Sequence, residues 1–141
     1  MAYIIGIDYG SRKCGIARAD TETHIATPVA VVETSSLVEY LVRMNGDTPI
    51  ERVVFGHSKD LAGNDNPIME SVRVASDEVA TALQVPVLFH DERFSSAEAA
   101  THLNQLNANR GRKERQQFEL DAGAATIILQ SFLDSYDKGT D

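Results

Sequence analysis

The run Ile4-Ile5-Gly6-Ile7-Asp8-Tyr9-Gly10-Ser11-Arg12-Lys13-Cys14-Gly15-Ile16-Ala17 constrains this chain more than any other stretch. Ile4, Ile5 and Ile7 form a short β-branched run, the composition of a buried strand. Asp8 stands where that apolar run stops. Gly10 and Gly15 bracket a polar turn, and Gly15-Ile16-Ala17 opens a second apolar run. The pattern predicts a hairpin with an acid at the end of its first strand. A carboxylate there is costly unless it is solvated, paired or bound to a metal. An Asp in this position also serves simply to open a turn.

The first two predicted strands are Tyr3 to Asp8 and Cys14 to Ala19. A third covers Ala26 to Val32, with Pro28 near its start, where a missing N–H donor is tolerated. Short connections make these three an antiparallel meander. Ser35 and Ser36 are candidate caps for a helix over Leu37 to Asn45, which Gly46 ends. Its apolar face is Leu37, Val38, Leu41 and Val42. A fourth strand, Arg52 to Phe55, closes on Gly56. A polar loop from Leu61 leads to a helix over Pro67 to Leu83, with Val72, Ala75, Val79, Ala82 and Leu83 as its buried face. The fifth strand, Val87 to Phe89, ends in His90-Asp91-Glu92-Arg93.

Ser95-Ser96-Ala97-Glu98 is a capping-box pattern that opens a helix running to Leu106. Asn107 to Arg115 is polar and basic. The last helix covers Arg115 to Tyr136, with Leu120, Ala124, Ile127, Ile128 and Phe132 as its buried residues. Asp134 to Asp141 reads as a frayed tail. The order predicts one α/β domain over residues 1–141, built on a five-stranded mixed sheet. Three strands are antiparallel, and strands four and five, each reached through a helix, run parallel to strand one. Asp8, Gly56 and the Asp91-Glu92 pair then share the edge where open α/β sheets place ligands.

The formal net charge of -8 argues against indiscriminate nucleic-acid binding. Yet Arg110, Arg112, Lys113 and Arg115 place four of the 13 Lys and Arg residues within six positions. Such a patch can engage phosphate on an acidic protein, although a charge run is also an ordinary solvated loop. No apolar run is long enough to span a bilayer, so no membrane association is expected. The N-terminus carries no charged leader followed by an apolar segment, so secretion is not expected. The single cysteine, Cys14, is expected to be a buried free thiol, in keeping with a reducing cytoplasm.

Two protein classes use the Gly6-Ile7-Asp8-x-Gly10 opening for chemistry. In RNase H-like nucleases the Asp ligates a metal ion, and in the actin and sugar-kinase class a similar turn approaches ATP phosphates. The second class builds its site between two lobes, for which this chain is short. Several further motifs occur in order along nearly the whole chain: Val53-Val54-Phe55-Gly56, Asp91-Glu92-Arg93 followed by Ser95 and Ser96, Asp121-x-x-Ala124-Ala125, and Ile128-Leu129-Gln130-Ser131-Phe132-Leu133-Asp134. Together they resemble the YqgF family, also called RuvX. Gly56-His57-Ser58 departs from the family's usual Gly-x-Pro, and Phe94-Ser95-Ser96 stands for its Leu-Thr-Thr, keeping both hydroxyls.

The resemblance implies an RNase H-like fold related to Holliday-junction resolvases. It also implies a nuclease that matures the 5′ end of 16S rRNA from its precursor. By family motif, the acidic cluster carries over as Asp8, Glu92 and Asp121. Phosphodiester hydrolysis needs such acids because two Mg²⁺ ions about 3.5–4 Å apart can stabilise the attacking and leaving oxygens in line. Mg²⁺, with Mn²⁺ as an alternative, is held by one or two carboxylates plus substrate phosphate. Asp91 is the structural alternative to Glu92, as a turn residue or a partner of Arg93. Asp121 reads equally as an acid in the first turn of a helix.

His24 and His102 are expected at the surface, whereas His57 and His90 would end neighbouring parallel strands, within reach of acid–base chemistry or phosphate. Arg12, Lys13, Lys59, Arg93, Arg110, Arg112, Lys113 and Arg115 are candidate phosphate contacts. Contacts of that kind position nucleic acid without reading its sequence. The expected partners are therefore structured RNA, within or outside a ribosomal precursor particle, or branched DNA. A non-catalytic nucleic-acid-binding protein of the same fold is the remaining alternative.

Overall fold

The β-branched run at the N-terminus forms the central strand of a five-stranded sheet. The structure is a computed structural model that describes residues 2–57, 67–91 and 122–139. Its strands are β1 (Tyr3–Tyr9), β2 (Lys13–Asp20), β3 (Ala26–Glu33), β4 (Ile50–His57) and β5 (Val87–Asp91). Its helices are α1 (Leu37–Asp47), α2 (Ile68–Leu83) and α3 (Gly123–Gly139). The strand order is β3-β2-β1-β4-β5. β1 and β2, then β2 and β3, pair antiparallel. β4 and β5 run parallel to β1, as the crossover helices require. The mixed sheet expected from the element order is therefore the one observed.

Alternation along each strand sends side chains to two different layers. Ile5, Ile7, Val53 and Phe55 join a core with Leu37 and Leu41 of α1 and with Met69, Val72 and Val79 of α2. Ile4, Ala17, Ala19 and Val54 point the other way, into a core with Ala125, Ile128, Leu129 and Leu133 of α3. Gly6, Ala17 and Ala19 on the α3 side of the sheet are small, and Gly6 sets how closely the helix lies. A Cβ on Gly6 would stand 2.6 Å from Leu129 Cβ and 3.0 Å from the Ala125 carbonyl oxygen. Only glycine lets α3 approach β1 this closely. Gln130 then ties α3 to β3: its Oε1 accepts from Ala26 N at 2.8 Å, and its Nε2 donates to the His24 carbonyl at 3.2 Å.

Local differences from the sequence reading have physical reasons. Pro28 sits on edge strand β3 beside a bulge, where Ile16 pairs Ala30 but Ala17 pairs Pro28. Gly46 lies inside α1, which continues to Asp47 with Thr48 N–H donating to the Met44 carbonyl. Ser36 makes no side-chain capping bond; a 3₁₀ turn over Thr34–Ser36 leads into α1 instead. β4 continues through Gly56 to His57, because its pairing with β5 extends that far. Val42, Ala82 and Ala124 are exposed rather than buried, and Ser76 fills the α2 interface with its hydroxyl bonded back to the Arg73 carbonyl. α3 runs past Asp134, through most of the stretch read as a tail. His24 is half-buried, with φ 56°. Cys14 is a buried free thiol, as expected. The helix expected over 95–106 lies outside the described residues, as does His102.

Candidate active site

The parallel strands end along one edge, and their register fixes which residues meet there. Ile7 of β1 pairs Phe55 of β4, which pairs Phe89 of β5. One step on, Asp8 comes level with Gly56, and Gly56 pairs His90. On its other side Asp8 pairs Gly15 of β2. Asp8 is thus flanked on both neighbouring strands by residues without side chains. It shares the α3 side of the sheet with Gly6, two residues before it.

Asp8 is half-buried, and among the described residues no side chain or backbone N–H bonds its carboxylate. Burial pushes that carboxyl above the usual range for an aspartate. A half-buried carboxylate flanked by two glycines, with no partner among the described residues, is poorly explained as a turn residue. The turn is held by other groups. Thr34 Oγ1 donates to the Gly10 carbonyl at 2.7 Å, and Thr34 N–H donates to the Arg12 carbonyl at 2.9 Å. The chemistry of the position suits a hard divalent cation, which binds oxygen donors and favours the ionised carboxylate.

The next row of the sheet faces the opposite layer. His57 pairs Asp91, and both are in phase with residues turned toward α1 and α2, Phe55 on β4 and Val87 on β5. The His57 ring lies edge-on to Phe89, with centroids 6.2 Å apart. Asp91 therefore lies across the sheet from Asp8. His90 is on the Asp8 side. Its Nε2 lies 3.0 Å from Ser131 Oγ of α3, and its ring meets Phe132 edge-on at 6.1 Å. Burial lowers the His90 pKa, against a smaller opposing pull from Asp91, which favours the neutral ring.

Arg12 on the turn that follows β1 and Lys13 at the start of β2 are exposed, at the edge that carries Asp8. Neither is engaged in an ion pair among the described residues. Glu92 directly follows the last residue of β5, and Asp121 precedes α3 by two positions. Both lie outside the described residues, as do Lys59, Arg93, Arg110, Arg112, Lys113 and Arg115. Among the described residues no three acidic, histidine or cysteine side chains converge as a metal cluster, and none of the helices is long and apolar enough to cross a membrane. Sequence reasoning missed Gly15 as a flank of Asp8 and Ser131 as a partner of His90. The first depends on the exact register of the β1–β2 hairpin, and the second on how α3 packs against β5.

The comparisons with known proteins agree with this arrangement. The RuvX family model, described as Holliday junction resolvase, matches residues 2–135. A Phocaeicola vulgatus protein named "Putative pre-16S rRNA nuclease" is 34% identical over 137 residues, covering 96% of this chain and 97% of its own. A Caldanaerobacter subterraneus protein of the same name is 32% identical over 136 residues, covering 94% and 96%. Among solved structures, Thermus thermophilus RuvC superposes with a TM-score of 0.64 at 16% identity, over 98% of this chain and 97% of that one. RuvC in complex with a Holliday junction substrate gives 0.62 at 16% identity, over 99% and 98%. At such identity the likeness is one of fold, the RNase H-like resolvase fold.

Proposed function

The chain belongs to the RuvX (YqgF) family, and on that footing we propose that it is a metal-dependent endonuclease acting on structured RNA, with the 5′ end of precursor 16S rRNA as its substrate. The observation that carries this reading is Asp8: a half-buried carboxylate at the end of the central strand, with no hydrogen-bond or ion-pair partner among the described residues. Asp8, Glu92 and Asp121 are the residues proposed to hold Mg²⁺ or Mn²⁺. The alternation that turns Asp91 away from Asp8 favours Glu92 over its neighbour as the second acid. When bound, the metal supplies charge stabilisation for the attacking and leaving oxygens of the phosphodiester.

The chain's own residues do the positioning. Asp8 sits on a rigid central strand rather than on a loop, so its carboxylate is pre-placed. Arg12 and Lys13, at the edge that carries it, are proposed to hold substrate phosphates, together with Lys59, Arg93 and the Arg110, Arg112, Lys113 and Arg115 cluster. Such contacts orient a folded RNA without reading its bases. The resolvase description of the family model and the RuvC fold favour a second reading, cleavage of branched DNA.

The test is direct. Purified protein is incubated in Mg²⁺ with a precursor 16S fragment spanning the 5′ cut region, and separately with a four-way DNA junction. Cleavage of the RNA with an intact junction supports the first reading; the reverse pattern supports the second. Binding with no cleavage of either in any divalent metal would make the protein a non-catalytic binder. In cells, depletion followed by northern analysis should show 5′-extended 16S precursors accumulating.

A further inference from the structure

β5 and α3 are distant in sequence yet tied directly to each other on the Asp8 side of the sheet. The tie is the 3.0 Å contact between His90 Nε2 and Ser131 Oγ, backed by the edge-on packing of the imidazole against Phe132. Among the described residues β5 is the outermost strand on its side of the sheet. α3 is fixed to β3 at the other margin of the sheet by Gln130 and to β1 by the Gly6 contact. His90 is the described polar link from β5 to α3. Each of these two elements leads, within two residues, to a proposed metal-holding acid: Glu92 after β5, and Asp121 before α3.

From this juxtaposition we infer that His90 is a positioning residue that clamps the end of β5 to α3 through Ser131, and so supports the metal site proposed around Asp8, Glu92 and Asp121. His90 acts through other residues and touches no reacting atom. Its separation from Asp8 fits that role: the two sit on strands separated by β4, about 10 Å apart at ~4.8 Å per strand, with Gly56 between them. The inference rests on the metal-site reading above. A clamp of this kind acts as outer-shell supports of metal sites do, by fixing the orientation of the ligands.

The experiment measures Mn²⁺ binding by calorimetry on the full chain, without substrate, for wild type, His90→Ala, Ser131→Ala and the double variant. Gln130→Ala is the control, since it frees α3 from β3 but leaves the β5 link in place. Each single variant is expected to weaken Mn²⁺ binding about tenfold, the lower end of what losing an outer-shell support costs. The double variant is expected to lose about tenfold as well, not a hundredfold, because both changes break one contact. Gln130→Ala is expected to lower Tm by at least as much while binding Mn²⁺ like wild type. Wild-type affinity in both single variants overturns the clamp alone, as does an equal loss in Gln130→Ala, which would make the effect one of general destabilisation. A wild-type protein that takes up no Mn²⁺ overturns the metal-site reading and the clamp with it.

Discussion

At the scale of single residues, Asp8 and Gly6 sit two positions apart on one face of β1 and are constrained in opposite ways. Gly6 has no room for a methyl group, with Leu129 Cβ at 2.6 Å from where it would sit. Gly6→Ala must push α3 off the sheet, and overpacking of this kind costs about 1–3 kcal/mol. Urea unfolding should show that loss as a lower midpoint at unchanged slope. Asp8 is half-buried and has no partner among the described residues. Burial raises its folded carboxyl above the unfolded value, so the native state holds that proton more tightly. The stability this contributes is full below the unfolded pKa of about 3.9 and is lost as pH rises through the folded value. Near pH 7 an ionised Asp8 therefore weakens the metal-free fold. Asp8→Asn should melt higher than wild type in EDTA at pH 7, with the gain fading as pH falls through the acid range. The same variant should lose cleavage by more than the about 100-fold typical of an outer-shell change. Retained cleavage with a lower melting temperature would make Asp8 a structural turn residue. The acid itself was legible in the sequence, because a carboxylate interrupting a β-branched run is a local signal. Gly56 was legible as its neighbour on the shared edge, whereas the direct pairing with Gly15 follows from the hairpin register.

At the scale of elements, the strands were legible because their apolar runs are short and β-branched, and the parallel order followed from the helices between them. The helix faces were harder to read. Ala82 and Ala124 fit the spacing of a buried face but are exposed, while Ser76 and Ser131 are buried. Alanine and serine carry too little hydropathy to announce a side, and the way each helix packs on its own face of the sheet decides it instead. Glycine misled in the same way. Gly46 and Gly56 looked like stops, yet nothing lies within 4 Å of a Cβ at Gly46, and backbone pairing carries β4 past Gly56. The basic segment from Arg110 to Arg115 belongs to this scale through its chemistry alone. Replacing Arg110, Arg112, Lys113 and Arg115 together by Ala should weaken RNA binding and reduce the slope of log affinity against log salt by up to about 3, if all four meet phosphate. A filter-binding series from low to moderate salt measures that slope, and an unchanged value would remove this segment from the RNA path.

For the whole molecule, the question is what holds the fold together when the site is empty of cation. Two apolar clusters on opposite faces of the sheet include the fully buried Ile5, Ile7, Phe55, Leu41 and Leu129. Each such side chain contributes about 1.5–3 kcal/mol relative to exposure. The fold therefore stands without metal, and chelation should leave it intact, with its melting transition still cooperative. Metal should nonetheless add stability, because a ligand that binds only the folded state stabilises it by mass action. At a free Mn²⁺ concentration about 100 times its Kd the gain is about 2.7 kcal/mol. For a chain of 141 residues that corresponds to a rise in Tm of roughly 10 °C. The rise should grow with the logarithm of Mn²⁺ concentration and disappear in Asp8→Asn. This separates a site from a charge effect. With a net charge of -8, any divalent cation could raise Tm slightly by screening self-repulsion. Screening, however, would act almost equally on a variant that differs by one charge. A melt of wild type and Asp8→Asn across a Mn²⁺ titration therefore decides the matter. Parallel shifts in the two proteins would mean that Asp8 holds no metal, and the proposed nuclease chemistry would lose its centre.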